Sequence, residues 1–206
     1  MDVAMFIQKG GFMMYPLVLC SVILMTVFFE RFWYFISHRF SKEAYASVKN
    51  SIEQGHADKA LERLSSGRSA LENVFREVIE NRSCSRHELE HVVTNKGIEE
   101  LQKYARNLHV IELIGRISPM LGLAGTVIGM ALSFRTISTV SGTVDPSLLA
   151  GGIWEALLTT IAGLLVGIPA LIIYHFFEKK LHLMTVELKI KGEEIVRLME
   201  QCHDRL

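Results

Sequence analysis

Ile117-Ser-Pro-Met-Leu-Gly-Leu-Ala-Gly-Thr-Val-Ile-Gly-Met-Ala-Leu-Ser-Phe134 is eighteen residues without a charged side chain. At about 1.5 Å per residue, a helix of that length approaches the roughly 30 Å hydrocarbon core of a bilayer. Two further runs share its character: residues 10–29 carry no charge, and residues 146–174 carry Glu155 alone. Most of the 22 basic and 22 acidic residues fall instead in 39–108 and 178–206, so the 50% hydrophobic content is not spread as a soluble core requires. The balanced charge gives no basic patch for nucleic acid, and the apolar excess excludes a disordered chain. The sequence therefore reads as an all-α integral membrane protein with three transmembrane helices. The first run is read as a span and not a cleaved signal, being long, rich in Phe and followed by Glu30 and Arg31. Cys20, Cys84 and Cys202 are odd in number and imply no disulfide framework.

Basic residues set the expected orientation. Arg31, Arg39 and Lys42 follow the first span, Lys103, Arg106 and Arg116 precede the second, and Lys179 and Lys180 follow the third, against only Lys9 and Arg135 on the other side. The positive-inside rule then gives N-out, C-in topology. The segments are an N-terminal stretch with the first span (1–37), a cytoplasmic helical loop (38–116), the second span (117–137), a short periplasmic turn (138–145), the third span (146–177) and a cytoplasmic helical tail (178–206). Ser85 and Glu88 form a capping-box pattern, predicting a helix that continues through Leu101 and Leu108 into the second span. Gly55 and Gly67 are predicted breaks, and Asp145-Pro146 reads as a helix start. Leu181, Met184, Leu188, Ile195 and Leu198 predict that the third helix runs on beyond the membrane. Trp33 and Trp154 read as interfacial anchors, inner and outer.

In the second span Ser118, Gly122, Thr126, Gly129 and Ser133 recur at helical spacing and share one face. Gly152, Ala156, Thr159, Thr160, Gly163 and Gly167 form a matching stripe in the third, with Glu155 beside its outer end. In lipid, small residues permit close helix approach, and hydroxyls gain from a partner or water. The stripes thus read as a packing seam, through Gly125-xxx-Gly129 and Gly163-xxx-Gly167, or as the lining of a polar path. A carboxylate within a span costs about 2.5–3.5 kcal/mol and points to a cavity, an ion path or a partner, unless it lies at the outer interface. On spacing alone either Thr159 or Thr160 faces such a path.

Ile117–Met130 resembles the second-span signature of the MotA/TolQ/ExbB proton-channel family, and Ile153-Trp-Glu-Ala-Leu-Leu-Thr-Thr-Ile-Ala-Gly-Leu-Leu-Val-Gly-Ile-Pro-Ala170 resembles its third. Gly10-Gly-Phe-Met-Met-Tyr-Pro-Leu17 and Phe29-Glu-Arg-Phe-Trp33 resemble the shorter members, and three spans favour the ExbB/TolQ branch. The resemblance implies a stator subunit of an ion-driven motor in a bacterial inner membrane. It implies a homopentamer around a dimer of an ExbD/TolR-type single-span partner, with a TonB-like protein among the machines energised. Protons are the implied ion, and no cofactor is implied. Thr126 and Thr160 match the family's pore threonines and Glu155 its third-span glutamate. Ser118, Gly122, Gly129, Ser133 and Thr159 are further candidates for the lumen lining.

Two readings from other classes compete. His87-Glu88-Leu89-Glu90-His91 fits H-E-x-x-H, in which two histidines one turn apart hold zinc and the glutamate activates water. It lacks a third ligand in suitable context, so no metal site is assigned and the protein is expected not to be an enzyme. A non-conducting membrane scaffold is the other alternative, opposed by the paired hydroxyl stripes.

Overall fold

The computed structural model describes residues 11–38, 42–64, 69–139 and 146–203. Its helices among these are α1 (Met14–Ser37), α2 (Lys42–Glu53), α3 (Ala57–Leu64), α4 (Ala70–Glu80), α5 (Arg86–Ala105), α6 (Leu108–Thr139) and α7 (Pro146–His203). α1, α6 and α7 are the three helices long and apolar enough to cross a membrane. The expected Asp145 cap, the break at Gly67, Lys9, Arg39 and most of the turn 138–145 lie outside the described residues.

The chain forms two compact units. The span unit comprises the residues up to Phe29 and Asn107–Phe177. Here α6 and α7 run antiparallel, since Gly115 meets Leu171, Gly122 meets Thr160 and Gly163, and Gly129 meets Ala156. The approach is close enough to exclude side chains. A Cβ on Gly163 would lie 2.5 Å from the Ser118 carbonyl oxygen, and one on Gly122 would lie 3.0 Å from the Thr160 Cα. Pro119 sits within α6 and leaves the Gly115 carbonyl without its usual i+4 donor. Gly167 is bare where that carbonyl and the Pro119 ring approach, so the break in the ladder is covered by a neighbour and not by lipid. α1 joins the pair through Met14 and Leu17, buried with Ala162 against Leu121.

The charged unit comprises Glu30–Arg106 and the chain from Glu178 onward. Its core is made of larger side chains: Val74, Phe75, Val78 and Ile79 of α4 are fully buried, with Ile52, Leu64 and Ile195. Each such burial from water contributes about 1.5–3 kcal/mol. α4 opens with a capping box, Ser69 to Glu72, and α5 with the expected one, Ser85 to Glu88. Gly55 ends the turn after α2 at φ +75°, as its predicted role as a breaker requires. Arg31 is buried and donates to the Lys103 carbonyl at 2.9 Å, satisfying an acceptor in the last turn of α5. Glu194 of α7 accepts from Lys49 at 2.5 Å and from the Tyr45 hydroxyl. Those two donors hold its carboxyl below the usual range, while burial and Glu194 push the Tyr45 hydroxyl well above its own.

One expectation fails at a single residue. The helix starting at Arg86 does not continue into the second span: α5 ends at Ala105, Arg106 is extended, and Asn107 has φ 62°. Asparagine is among the few residues that tolerate this left-handed conformation, and hydrophobic periodicity does not register it. α6 then begins at Leu108, with Leu108, Ile111 and Ile114 buried. The third helix does run on past the span, unbroken to His203.

Candidate functional site

The seam between α6 and α7 gathers most of the polar groups that the sequence singled out, and burial separates them. Thr159 is 2% exposed; its hydroxyl donates to the Ala156 carbonyl at 2.6 Å and lies 3.4 Å from the Gly122 carbonyl. Thr160 is only half-buried, and its hydroxyl crosses to α6 to donate to Gly122 at 3.1 Å. In an α-helix that same carbonyl pairs with the N–H of Thr126, so Thr160 and the Thr126 backbone converge on one acceptor. Thr126 is half-buried as well, and its hydroxyl donates within α6 to Leu123 at 2.7 Å.

The other stripe residues pack α6 on α7 within the chain. Gly122 is buried, Gly129 lies against Ala156, and Ser133 lies against Gly152. Ser118 is fully buried, and its hydroxyl has no hydrogen-bond partner among the described residues. Within a single chain, Ser118, Gly122 and Thr159 thus line a helix contact, and Thr126 and Thr160 remain the accessible hydroxyls of the five positions 118, 122, 126, 159 and 160.

Glu155 is exposed and lines a cavity of about 290 Å³ with Gly129, Leu132, Ser133, Thr136, Ile137 and Gly152. Ser133 donates to Gly129 at 2.9 Å and Thr136 to Leu132 at 3.0 Å. With its proton directed into the helix, the Ser133 hydroxyl oxygen joins the carboxylate as an acceptor, a pair suited to a cation or hydronium and not to an anion. Glu155 also lies against Gly11, where a Cβ would be 2.9 Å from Oε1 and where φ is +68°. Sequence reading missed Thr136 and Gly11. Thr136 was visible as one turn beyond Ser133 on the same face, whereas Gly11 is brought there only by packing.

The H-E-x-x-H segment has a different arrangement from a hydrolase site. The Glu88 carboxylate accepts from the Ser85 N–H and hydroxyl, both at 2.8 Å, and these bonds hold it below the usual carboxylate range. It is a helix cap at the start of α5. Among the described residues no group of three His, Cys, Asp or Glu side chains is arranged to hold a metal.

Known proteins share much of this sequence. The model of the MotA/TolQ/ExbB proton channel family matches residues 46–190. Biopolymer transport protein exbB1 of Vibrio cholerae is 30% identical over 169 residues, covering 79% of this chain and 73% of that protein. An ExbB homolog of Methanothermobacter thermautotrophicus is 29% identical over 171 residues, 82% of this chain, which spans only 60% of that relative's length. Biopolymer transport protein ExbB of Salmonella typhimurium is 46% identical over 68 residues, 33% of this chain and 28% of that protein. The paired apolar helices, the hydroxyl seam and these matches lead to one assignment: the chain belongs to the MotA/TolQ/ExbB proton channel family, on its ExbB branch, and is a channel component and not an enzyme.

Proposed function

We propose that this chain is the channel-forming stator subunit of a bacterial inner-membrane complex that uses the proton motive force to energise transport across the envelope. The excess of Lys and Arg on the side of the charged unit supports an N-out, C-in orientation with that unit in the cytoplasm. It acts as a homopentamer around a dimer of an ExbD/TolR-type partner, whose single span carries a carboxylate in the lumen. TonB-dependent transport is the process favoured by the ExbB likeness.

The convergence of Thr160 and the Thr126 backbone on the Gly122 carbonyl is the observation that carries this reading. It fixes two accessible hydroxyl-bearing residues at one level of the span unit. There they hydrate or relay a proton to the partner's carboxylate, with Glu155 and its acceptor-lined cavity collecting the proton from the outer side. Protonation neutralises the partner's carboxylate and lets it pass an apolar wall, and release on the inner side restores the charge and steps one subunit against the other.

The test is proton flux in vesicles containing the chain with its partner. Thr160→Val, which keeps the shape and removes the hydroxyl, should abolish flux while the complex stays assembled, and Thr160→Ser should retain it. Full flux through the Thr160→Val complex would overturn the role assigned to Thr160.

A further inference from the structure

The two histidines left over from the H-E-x-x-H segment have a geometry of their own. His87 and His91 are exposed on α5, and their Nε2 atoms lie 3.2 Å apart, with ring centroids at 4.5 Å. Zn–N bonds of about 2.0–2.1 Å on one ion put two imidazole nitrogens 3.2 Å apart when the N–Zn–N angle is about 100°, close to tetrahedral. A small rotation of each ring then converts a mutual hydrogen bond into a shared ligand. The helix supplies the pre-organisation, because positions i and i+4 lie one above the other on the same face.

We propose that His87 and His91 form an exchangeable two-imidazole site for a borderline divalent transition-metal ion, of which Zn²⁺ is the test case. It is a binding site and not a hydrolytic one. Glu88, which would have to activate water, is bonded to Ser85 on its own cap. With no third protein ligand among the described residues, water completes the coordination, so the ion exchanges readily. Imidazole nitrogen selects Cu²⁺, Ni²⁺ and Zn²⁺ over Mg²⁺ and Ca²⁺, which prefer oxygen. Bound metal also clasps the first turns of α5, where Arg86 reaches Glu90 at 3.0 Å and Glu200 of α7 at 2.9 Å. Occupancy therefore stiffens the end of α5 that carries the bridge to α7, a consequence independent of ion conduction through the spans.

The experiment is a Zn²⁺ titration of the purified full chain against a competing chromophoric chelator at pH 7.5, with His87→Ala, His91→Ala and the double variant. A chelate predicts one ion per chain lost from this site, with each single substitution weakening it about tenfold or more and the double doing little further harm. Hydrogen exchange over residues 86–92 should slow with Zn²⁺ in the wild type and in no variant. Excess Mg²⁺ should not compete. Zn²⁺ uptake unchanged in the double variant, or single losses that merely add, would show unconnected surface histidines and overturn the site. Because the readout is binding and local exchange, failure here leaves the channel reading untouched.

Discussion

The two units of this chain pack their helices by opposite means. In the span unit the helices approach through residues that are nearly absent as side chains, with Gly163 over Ser118 and Gly122 against Thr160. In the charged unit they are held apart and joined by bulk, with Phe75, Val74, Val78 and Ile79 fully buried in α4. The difference follows from the solvent. Burying Phe from water is strongly favourable, whereas lipid is as apolar as Leu and rewards only closer contact and satisfied polar groups. α7 follows both rules along one unbroken helix, with Gly152, Gly163 and Gly167 at α6, and Leu188, Ile195 and Val196 buried after Glu178.

The strongest way to break the comparison is to remove bulk where bulk matters. Phe75 is 0% exposed with its ring 5.7 Å from that of Tyr45, and Phe75→Ala should cost the charged unit about 3–5 kcal/mol. Hydrogen exchange should show α4 and its neighbours opening while the amides of α6 and α7 within the span unit stay protected. Simultaneous loss of protection in both units would mean that they do not obey separate rules.

Adding bulk should give the converse, with a smaller effect. Gly163→Ala places a methyl group 2.5 Å from a backbone oxygen and 3.0 Å from the Gly122 Cα, neither of which yields by rotamer change. The expected loss is about 1–3 kcal/mol in detergent unfolding assays. Gly97→Ala in the charged unit meets only the far end of Leu188, at 2.7 Å. That side chain can turn away, and the gain in helix propensity of about 1 kcal/mol offsets the adjustment, so stability should stay within about 1 kcal/mol of wild type. Equal damage from both substitutions would remove the distinction between backbone and side-chain contact.

Electrostatics sharpens the contrast at lower amplitude, because the charged unit has water to titrate against. Glu194 has a folded-state pKa below its unfolded value, so its contribution is present above about pH 4 and lost as pH falls through the lower folded value. Lys49 and Tyr45 are shifted upward, so theirs is complete below about pH 10 and lost as pH rises further. The α2 to α7 clamp should therefore loosen at both extremes, with Glu194→Gln costing about 1 kcal/mol at pH 7 and flattening the acid limb. An unaltered acid limb in that variant would assign the transition to other carboxylates.

Much of this division was legible in the sequence. Charge-free runs gave the three spans, Ser85 and Glu88 gave the start of α5, and the spacing from Leu181 to Leu198 gave the extension of α7. Periodicity records which residues share a face but not what that face meets. Ser118, Gly122 and Thr126 therefore looked equivalent, although the first two are buried and Thr126 is half-buried. Thr159 and Thr160 are neighbours in sequence, and their separation into a buried and a half-buried hydroxyl depends on the position of Gly122 across the seam. The junction at Asn107 depends on one backbone torsion. Each of these is set by a neighbour or a local conformation, and a hydrophobic pattern carries neither.

The smallest expected effect tests what kind of seam this is. Ser118 holds a buried hydroxyl with no partner among the described residues, and an unsatisfied buried hydroxyl ordinarily costs about 1–3 kcal/mol. In lipid the reference state is also poor in partners, so the recoverable part is smaller. If the seam here only packs, Ser118→Ala should be neutral or stabilising by up to about 1 kcal/mol, both for the isolated chain and for its assembly. A loss confined to the assembly would mean that the hydroxyl finds its acceptor, or a water, only when neighbouring copies are present. Comparing detergent unfolding of the isolated chain with that of the complex separates the two outcomes, and the second would extend the polar path proposed for Thr126 and Thr160 to Ser118.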